Sequence, residues 1–324
     1  MIGENEAVPK EDNALQMDES SLQGTTELPA GSLGALIGKD MQTLIASLGK
    51  PTRKEPSAYG YTWFIYNSDV HQYVQIGVLD EKVVTLYAIG KETNIAPFEI
   101  DQSVENIFIN NLIAPEVTLK QDGSSFQFEL SENDLNTRPL IKVGNIYAQL
   151  YIDRYSGVLS SVRFLDGETL IKLQPYEMLY LGNLIEAVEL SKDEWEKIEE
   201  GTELQILDIT NVIRAKHDFG KLSWDEKTAT VAYAHSKDMK EADYFAHVSE
   251  EYGTLSDRLV AADVPFQLAG ENIAAQYSDG PAVVEGWLNS KGHREALLNK
   301  EFTHLGVGVY QRYYTQNFVK SVVE

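Results

Sequence analysis

Two stretches of this chain repeat one another, and that repetition limits what its first half can become. IGKDMQTLIASLGKP from Ile37 has the apolar spacing of IDQSVENIFINNLIAP from Ile100, and YVQIGVLDEKVVTL from Tyr73 echoes YAQLYIDRYSGVLSSV from Tyr147. A pattern written twice predicts one unit built twice, here a helix followed by a small antiparallel meander, with Tyr73 and Tyr147 in equivalent places. The β-rich runs YGYTWFIYN, YVQIGVL and KVVTLYAIG, separated by Asn, Asp and Gly turn signals, support this. Residues 32–188 are therefore expected to form a duplicated α+β domain. Neither copy holds a nucleophile, metal cluster or phosphate loop.

The texture changes after residue 188. ELSKDEWEKIEEG, residues 189–201, reads as an acidic linker helix stopped by Gly201. Beyond it, LQILDITNVIRAKHDFG carries Ile206, Ile209 and Ile213 on one helical face and ends at Gly220. In SWDEKTATVAYAHSKDMKEA, Ser223 with Glu226 has the spacing of a capping box. THLGVGVYQRY and YTQNFVKSVV alternate like paired strands. Residues 202–324 are thus expected to fold by themselves as helices around a small antiparallel sheet, and 324 residues suffice for two domains. Residues 1–31, acidic and without aromatics, read as a disordered tether.

A net charge of −23 argues against nucleic acid and anionic lipid as partners. With no cysteine there is no disulfide, thiol nucleophile or thiolate metal site. Apolar runs fall short of the roughly 18 residues a membrane span needs, and the first residues lack the basic and apolar regions of a signal peptide. No H-E-x-x-H or Walker pattern occurs.

The chemistry concentrates in GENIAAQYSDGPAVVEGWLNSKGHREALLN, residues 270–299, where Glu271 and His293 each follow a glycine. A segment from Pro281 to Ser290, with Val283, Val284, Trp287 and Leu288 on one face, lies between them. Taken with NVIRAKHDFGKLSWDEKTATVAYAHSKDMKEADYFAHVS before it and NKEFTHLGVGVY and YTQNF after it, this stretch resembles the bacterial branch of the CAP superfamily, the cysteine-rich secretory, antigen 5 and pathogenesis-related proteins. The preceding region looks like the CAP-associated N-terminal domain.

The resemblance implies a C-terminal α-β-α sandwich, export to the cell exterior or envelope, and a cleft lined by two histidines and two acids. His247 in YFAHVS, Glu271 and His293 match three of those four positions. The fourth departs: Ser290 stands where many members carry an acid, and Glu285 should point roughly opposite on the helix. Export would place a leader or anchor upstream of Met1, with a ligand, lipid, peptide or cell-envelope partner outside.

Two neutral imidazoles can each offer a nitrogen to a divalent metal while a carboxylate orients one of them. The cofactor expectation is accordingly zinc or magnesium, held weakly by His247 and His293, with Glu271 beside them. The alternative is a hydrogen-bonded polar cluster tying two turns together. Asn272 and Ser249 are further cleft candidates, although no G-x-S-x-G elbow surrounds Ser249 to make it a nucleophile. His235 reads as a helix-surface contact and His304 as a strand flank. Two functions follow: a cleft-containing binding module, or a metal-dependent hydrolase, peptidase or esterase, with Glu271 as general base. Ser290 removes a carboxylate useful for proton transfer and favours binding.

Overall fold

The computed structural model describes residues 28–322. Most of the expected tether lies outside the described residues. Residues 28–31 are already pinned, since the Gly31 carbonyl accepts from Asn94 Nδ2 at 3.0 Å and Leu28 packs on the N-terminal core.

The N-terminal domain opens with α1 (Met41–Leu48), capped by Asp40, and the strands β1 (Arg53–Pro56), β2 (Thr62–Tyr66), β3 (Val74–Leu79) and β4 (Lys82–Ala88). It continues with α2 (Val104–Asn110), β5 (Glu116–Gln121), β6 (Ser124–Glu129), α3 (Glu132–Thr137), β7 (Leu140–Val143), β8 (Ile146–Asp153) and β9 (Val158–Leu165). α4 (Gly167–Leu173) and β10 (Glu177–Leu181) complete it. Seven strands form one antiparallel sheet in the order β1-β2-β3-β4-β9-β8-β7, and β10-β6-β5 form a smaller one.

Two registers in the large sheet match. β3–β4 carries a bulge after Gly77 and β8–β9 one after Tyr151, residues equally spaced from Tyr73 and Tyr147. Leu86 and Val162 hold the same places, opposite Ile76 and Leu150. At the β4–β9 seam Leu86 pairs with Phe164 and Ala88 with Val162, on either side of the pair Tyr87 and Arg163.

Because side chains alternate along a strand, the large sheet buries both faces. Ala148 and Leu150 enter a cluster with Leu44, Ile76 and Ile107, whereas Tyr147 and Tyr151 enter a second cluster. That second cluster also contains Ile206, Ile209, Val283 and Trp287 from the C-terminal half, so the two halves share a core.

α5 (Lys192–Lys216) corrects the expected linker. Ser191 and Glu194 form a capping box, and one continuous helix runs through residues 192–201 into the C-terminal domain. Gly201 is no stop but an approach point, since a Cβ there would stand 2.8 Å from Glu55 Cβ. The halves are therefore docked rather than tethered. Arg163 NH2 donates to both carboxylate oxygens of Asp279, at 2.8 and 2.7 Å. Arg53 pairs with Asp208 at 2.7 Å, and Arg294 with Asp153 at 2.9 and 3.0 Å.

The C-terminal domain adds β11 (Ser223–Trp224), α6 (Glu226–Glu241), α7 (Leu255–Ala261), β12 (Phe266–Ala275), α8 (Gly280–Leu288), α9 (Lys291–Leu297), β13 (His304–Tyr310) and β14 (Tyr313–Ser321). Its sheet has the order β11-β13-β14-β12, with β11 parallel to β13. The cap of α6 is Asp225, accepting from Thr228 N at 2.7 Å, and Ser223 belongs to β11 instead. α6 lies so close on β13 that a Cβ at Gly306 or Gly308 would overlap its backbone at Ala229 and Tyr233. On the opposite face Leu305, Val307 and Val309 pack with Ile206, Ile209 and Val283. The result is an α-β-α sandwich.

Candidate functional site

Glu271 sits in β12, the edge strand of the C-terminal sheet, opposite Asn317. Its side chain is buried and both oxygens are engaged. Oε2 accepts from Arg258 NH2 at 2.5 Å, and Oε1 lies 2.9 Å from His247 Nδ1. A carboxylate only accepts, so His247 carries its proton on Nδ1 in this contact and a neutral ring keeps its lone pair on Nε2. The His247 side chain is 54% exposed, which leaves that nitrogen reachable.

Arg258 is the residue that sequence reasoning missed. It is buried on α7, and its NH1 donates to the carbonyls of His247 and Gly253, each at 3.0 Å. One guanidinium thus ties the 247–253 loop to β12 and fixes where His247 stands. A signal for it existed: Arg258 lies beside Leu259 and three residues after Leu255, on a stripe that packs inward.

His235 also departs from expectation. It is not on the helix surface but buried, with Nε2 3.1 Å from the Ala246 carbonyl and 4.0 Å from Glu271 Oε1. Burial pushes its pKa down, keeping the ring neutral, so Nε2–H donates to Ala246 and steadies the residue preceding His247.

Asn272 points to the other side of β12. Fully buried, it donates to the His293 carbonyl at 3.1 Å and to Gln316 Oε1 at 3.2 Å, fastening α9 to the sheet. Burial lowers the His293 pKa, and nearby His247 pushes it the same way. Ser290 is the N-cap of α9, without a side-chain capping bond. Ser249 is a buried turn residue whose Oγ accepts from the amides of Glu251 and Tyr252 at 3.2 and 3.0 Å. The structure therefore brings His247 and Glu271 together with Arg258 and gives Ser249 a structural role. His304 lies at the start of β13, its Nδ1 2.9 Å from Thr303 Oγ1.

Glu285 points away from this group, as its helical position predicts. It is buried against the N-terminal domain, where Oε1 accepts from Tyr87 OH at 2.8 Å and from Ser161 Oγ at 2.5 Å. Among the described residues, no three His, Asp or Glu side chains close on one point in a manner suited to a metal.

Residues 37–176 match the CAP-associated N-terminal family, and residues 207–323 match the cysteine-rich secretory protein family. An uncharacterized membrane protein of Bacillus subtilis, YlbC, is 51% identical over 316 residues, 98% of this chain and 90% of its own length. The chain belongs to the cysteine-rich secretory protein, or CAP, family. A solved extracellular protein containing a SCP domain, from Bacillus anthracis, superposes with a TM-score of 0.87 at 44% identity, covering 99% of this chain and all of its own. A cysteine-rich secretory protein of Staphylococcus aureus gives 0.80 at 30% identity, covering 91% and 97%. The CAP domain thus carries the His247–Glu271 pair, and its N-terminal partner domain is shared with full-length relatives. No helix among the described residues is long and apolar enough to cross a membrane.

Proposed function

We propose that this is an exported recognition protein whose CAP cleft binds a ligand beside His247 and His293 without hydrolysing it. The observation that carries this reading is the double engagement of Glu271 by Arg258 and His247. A general base needs a lone pair facing substrate or water. A carboxylate locked between a guanidinium and an imidazole orients its neighbours instead, and Ser290 supplies no second acid. Phe245, Val248 and Tyr252 flank His247 with more than half of their surface exposed, giving the cleft an apolar rim for contact.

The donor set fits a weakly held metal in part. His247 Nε2, with a carboxylate behind Nδ1, has the arrangement that tunes a metal-bound imidazole, and neutral His293 offers a second nitrogen. Zinc suits two imidazoles better than magnesium, which prefers oxygen. When bound, the ion would supply an open coordination position for a ligand. The residues of this chain supply the orientation. Export rests on the likeness to the extracellular protein from Bacillus anthracis. The matched registers about Tyr87 and Arg163 support reading the N-terminal domain as a duplicated unit and a platform for the CAP domain.

Zinc titration by calorimetry, in wild type, His247→Ala and His293→Ala, tests the binding reading together with assays on peptide, ester and phosphoester substrates. Weak zinc binding lost in both variants, with no turnover, is expected. Turnover that disappears with His247→Ala would establish the hydrolase instead.

A further inference from the structure

A cavity of about 380 Å³ lies where the two domains meet. Its wall comes from both: Arg138 and Tyr151 from the N-terminal domain, and Tyr277, Glu285, Asn289 and Arg312 from the CAP domain. It therefore exists only when the domains are docked. We propose that this interdomain cavity binds a small, polar molecule bearing a carboxylate, either a sugar acid or the C-terminal end of a short peptide.

The two guanidiniums carry the argument. Arg312 NH2 reaches only the Tyr59 hydroxyl, at 3.4 Å, while its guanidinium carbon lies over the Tyr59 ring, 6.0 Å from the centroid. No carboxylate among the described residues pairs with it. Arg138 gives Nε to Asp134 at 2.6 Å and stacks on Tyr176 at 5.2 Å, and its terminal nitrogens make no hydrogen bond among the described residues. A guanidinium has five N–H donors in a fork that matches a carboxylate, so both side chains keep open donors, each already oriented by an aromatic face. In a chain of net charge −23, a cavity lined by one arginine without a carboxylate partner among the described residues and by a second whose terminal nitrogens stay open is a local exception. The surrounding field repels polyanions, whereas a small monoanion can still enter.

The remainder of the wall sets the polarity of the occupant. Glu285 is buried, and its Oε2 has no hydrogen-bond partner although Oε1 accepts from Tyr87, Ser160 and Ser161. Burial pushes this carboxyl's pKa up, and the protonated group can donate as well as accept at Oε2. Oε2 is closed to solvent, so Glu285 backs the wall rather than contacting the occupant. Gln174 and Gln276, from opposite domains, also line the cavity, and both hold left-handed backbone (φ 42° and 65°), a strained geometry that recurs at ligand sites. The volume lies near the lower end of the roughly 300–1,000 Å³ typical of small-molecule sites, which suits a monosaccharide or a dipeptide.

The test uses the full chain and two matched pairs of probes: D-glucuronate against D-glucose, and alanyl-alanine against its C-terminal amide. Calorimetry should show at least one of the two acids binding with a Kd of about 1 mM or tighter, and its neutral counterpart about tenfold weaker or worse. Arg312→Ala, at an exposed position, should keep the fold and weaken the acid about tenfold. His247→Ala should change nothing, so failure of the CAP-cleft reading and failure of this one are separable. Which acid binds identifies the source of the carboxylate. Absence of binding by both acids, equal binding of acid and neutral partner, or full affinity in Arg312→Ala would each overturn the proposal.

Discussion

Replacing Arg163 by Met should loosen the joint between the domains more than any surface change. Arg163 and Asp279 are 1% and 9% exposed at their side chains, and they meet through two hydrogen bonds to one guanidinium nitrogen. Exposed ion pairs contribute about 0–1 kcal/mol, because water and salt compete for both partners. Truncating one member of a buried pair leaves the other charge without water or counter-charge, at about 3–5 kcal/mol. For a chain of this size that corresponds to a loss of roughly 4–8 °C in Tm. Asp279 also caps α8 through Ala282 N at 3.1 Å, so Asp279→Asn keeps the cap acceptor while removing the charge. The double variant Arg163→Met with Asp279→Asn should recover about 2–3 kcal/mol relative to the sum of the singles. Scanning calorimetry reads both quantities and shows whether the domains melt together. Arg163→Met within about 1 kcal/mol of wild type, or strictly additive singles, would refute the claim that buried charge pairing holds the domains.

Three further outcomes are expected. Gly308→Ala should destabilise by about 1–3 kcal/mol, because the new methyl meets the α6 backbone at Tyr233, while Gly292→Ala, with open space around it on α9, should be neutral or stabilising; denaturant unfolding compares them. Arg258→Met should weaken zinc binding about tenfold or more without touching a ligand nitrogen, because His247 loses its anchor, and Arg258→Lys should rescue little; calorimetry decides. Burial pushes the Glu203 carboxyl up to about 8. A raised acid pKa means that the folded state binds the extra proton, so the stability linked to Glu203 is complete below about 4.5 and is lost as pH rises toward 8. Glu203→Gln keeps the acceptor for Val309 N and should stabilise at pH 8 by about 1–3 kcal/mol with little effect at pH 4; equal effects at both pH values would contradict this.

Local pattern was enough to reveal the α+β N-terminal domain and the helix-rich C-terminal half, and the CAP resemblance singled out His247, Glu271 and His293 as candidates. Periodicity, turn residues and glycine-marked motifs are properties of short windows, and a single chain displays them directly. The same window logic placed Glu285 away from the cleft, where it now faces Tyr87 and Ser161. It misread residues 189–201, because an acidic helical segment closed by a glycine looks alike whether it is a free linker or the first turns of α5. Only the approach of Glu55 to Gly201 distinguishes the two.

Partners distant in sequence were likewise invisible. Whether Arg258 points at solvent or into Glu271, and whether His235 lies outside or beneath the cleft, depends on how α6 and α7 pack on the sheet. The interdomain cavity is the extreme case. Arg138 and Arg312 come from different domains, and they share a site because buried pairs such as Arg163–Asp279 dock those domains. Residue types and local spacing determined which groups were available for chemistry. The burial and long-range pairing of tertiary structure decided which of them meet, which carboxylates are already occupied, and which guanidinium donors are left open.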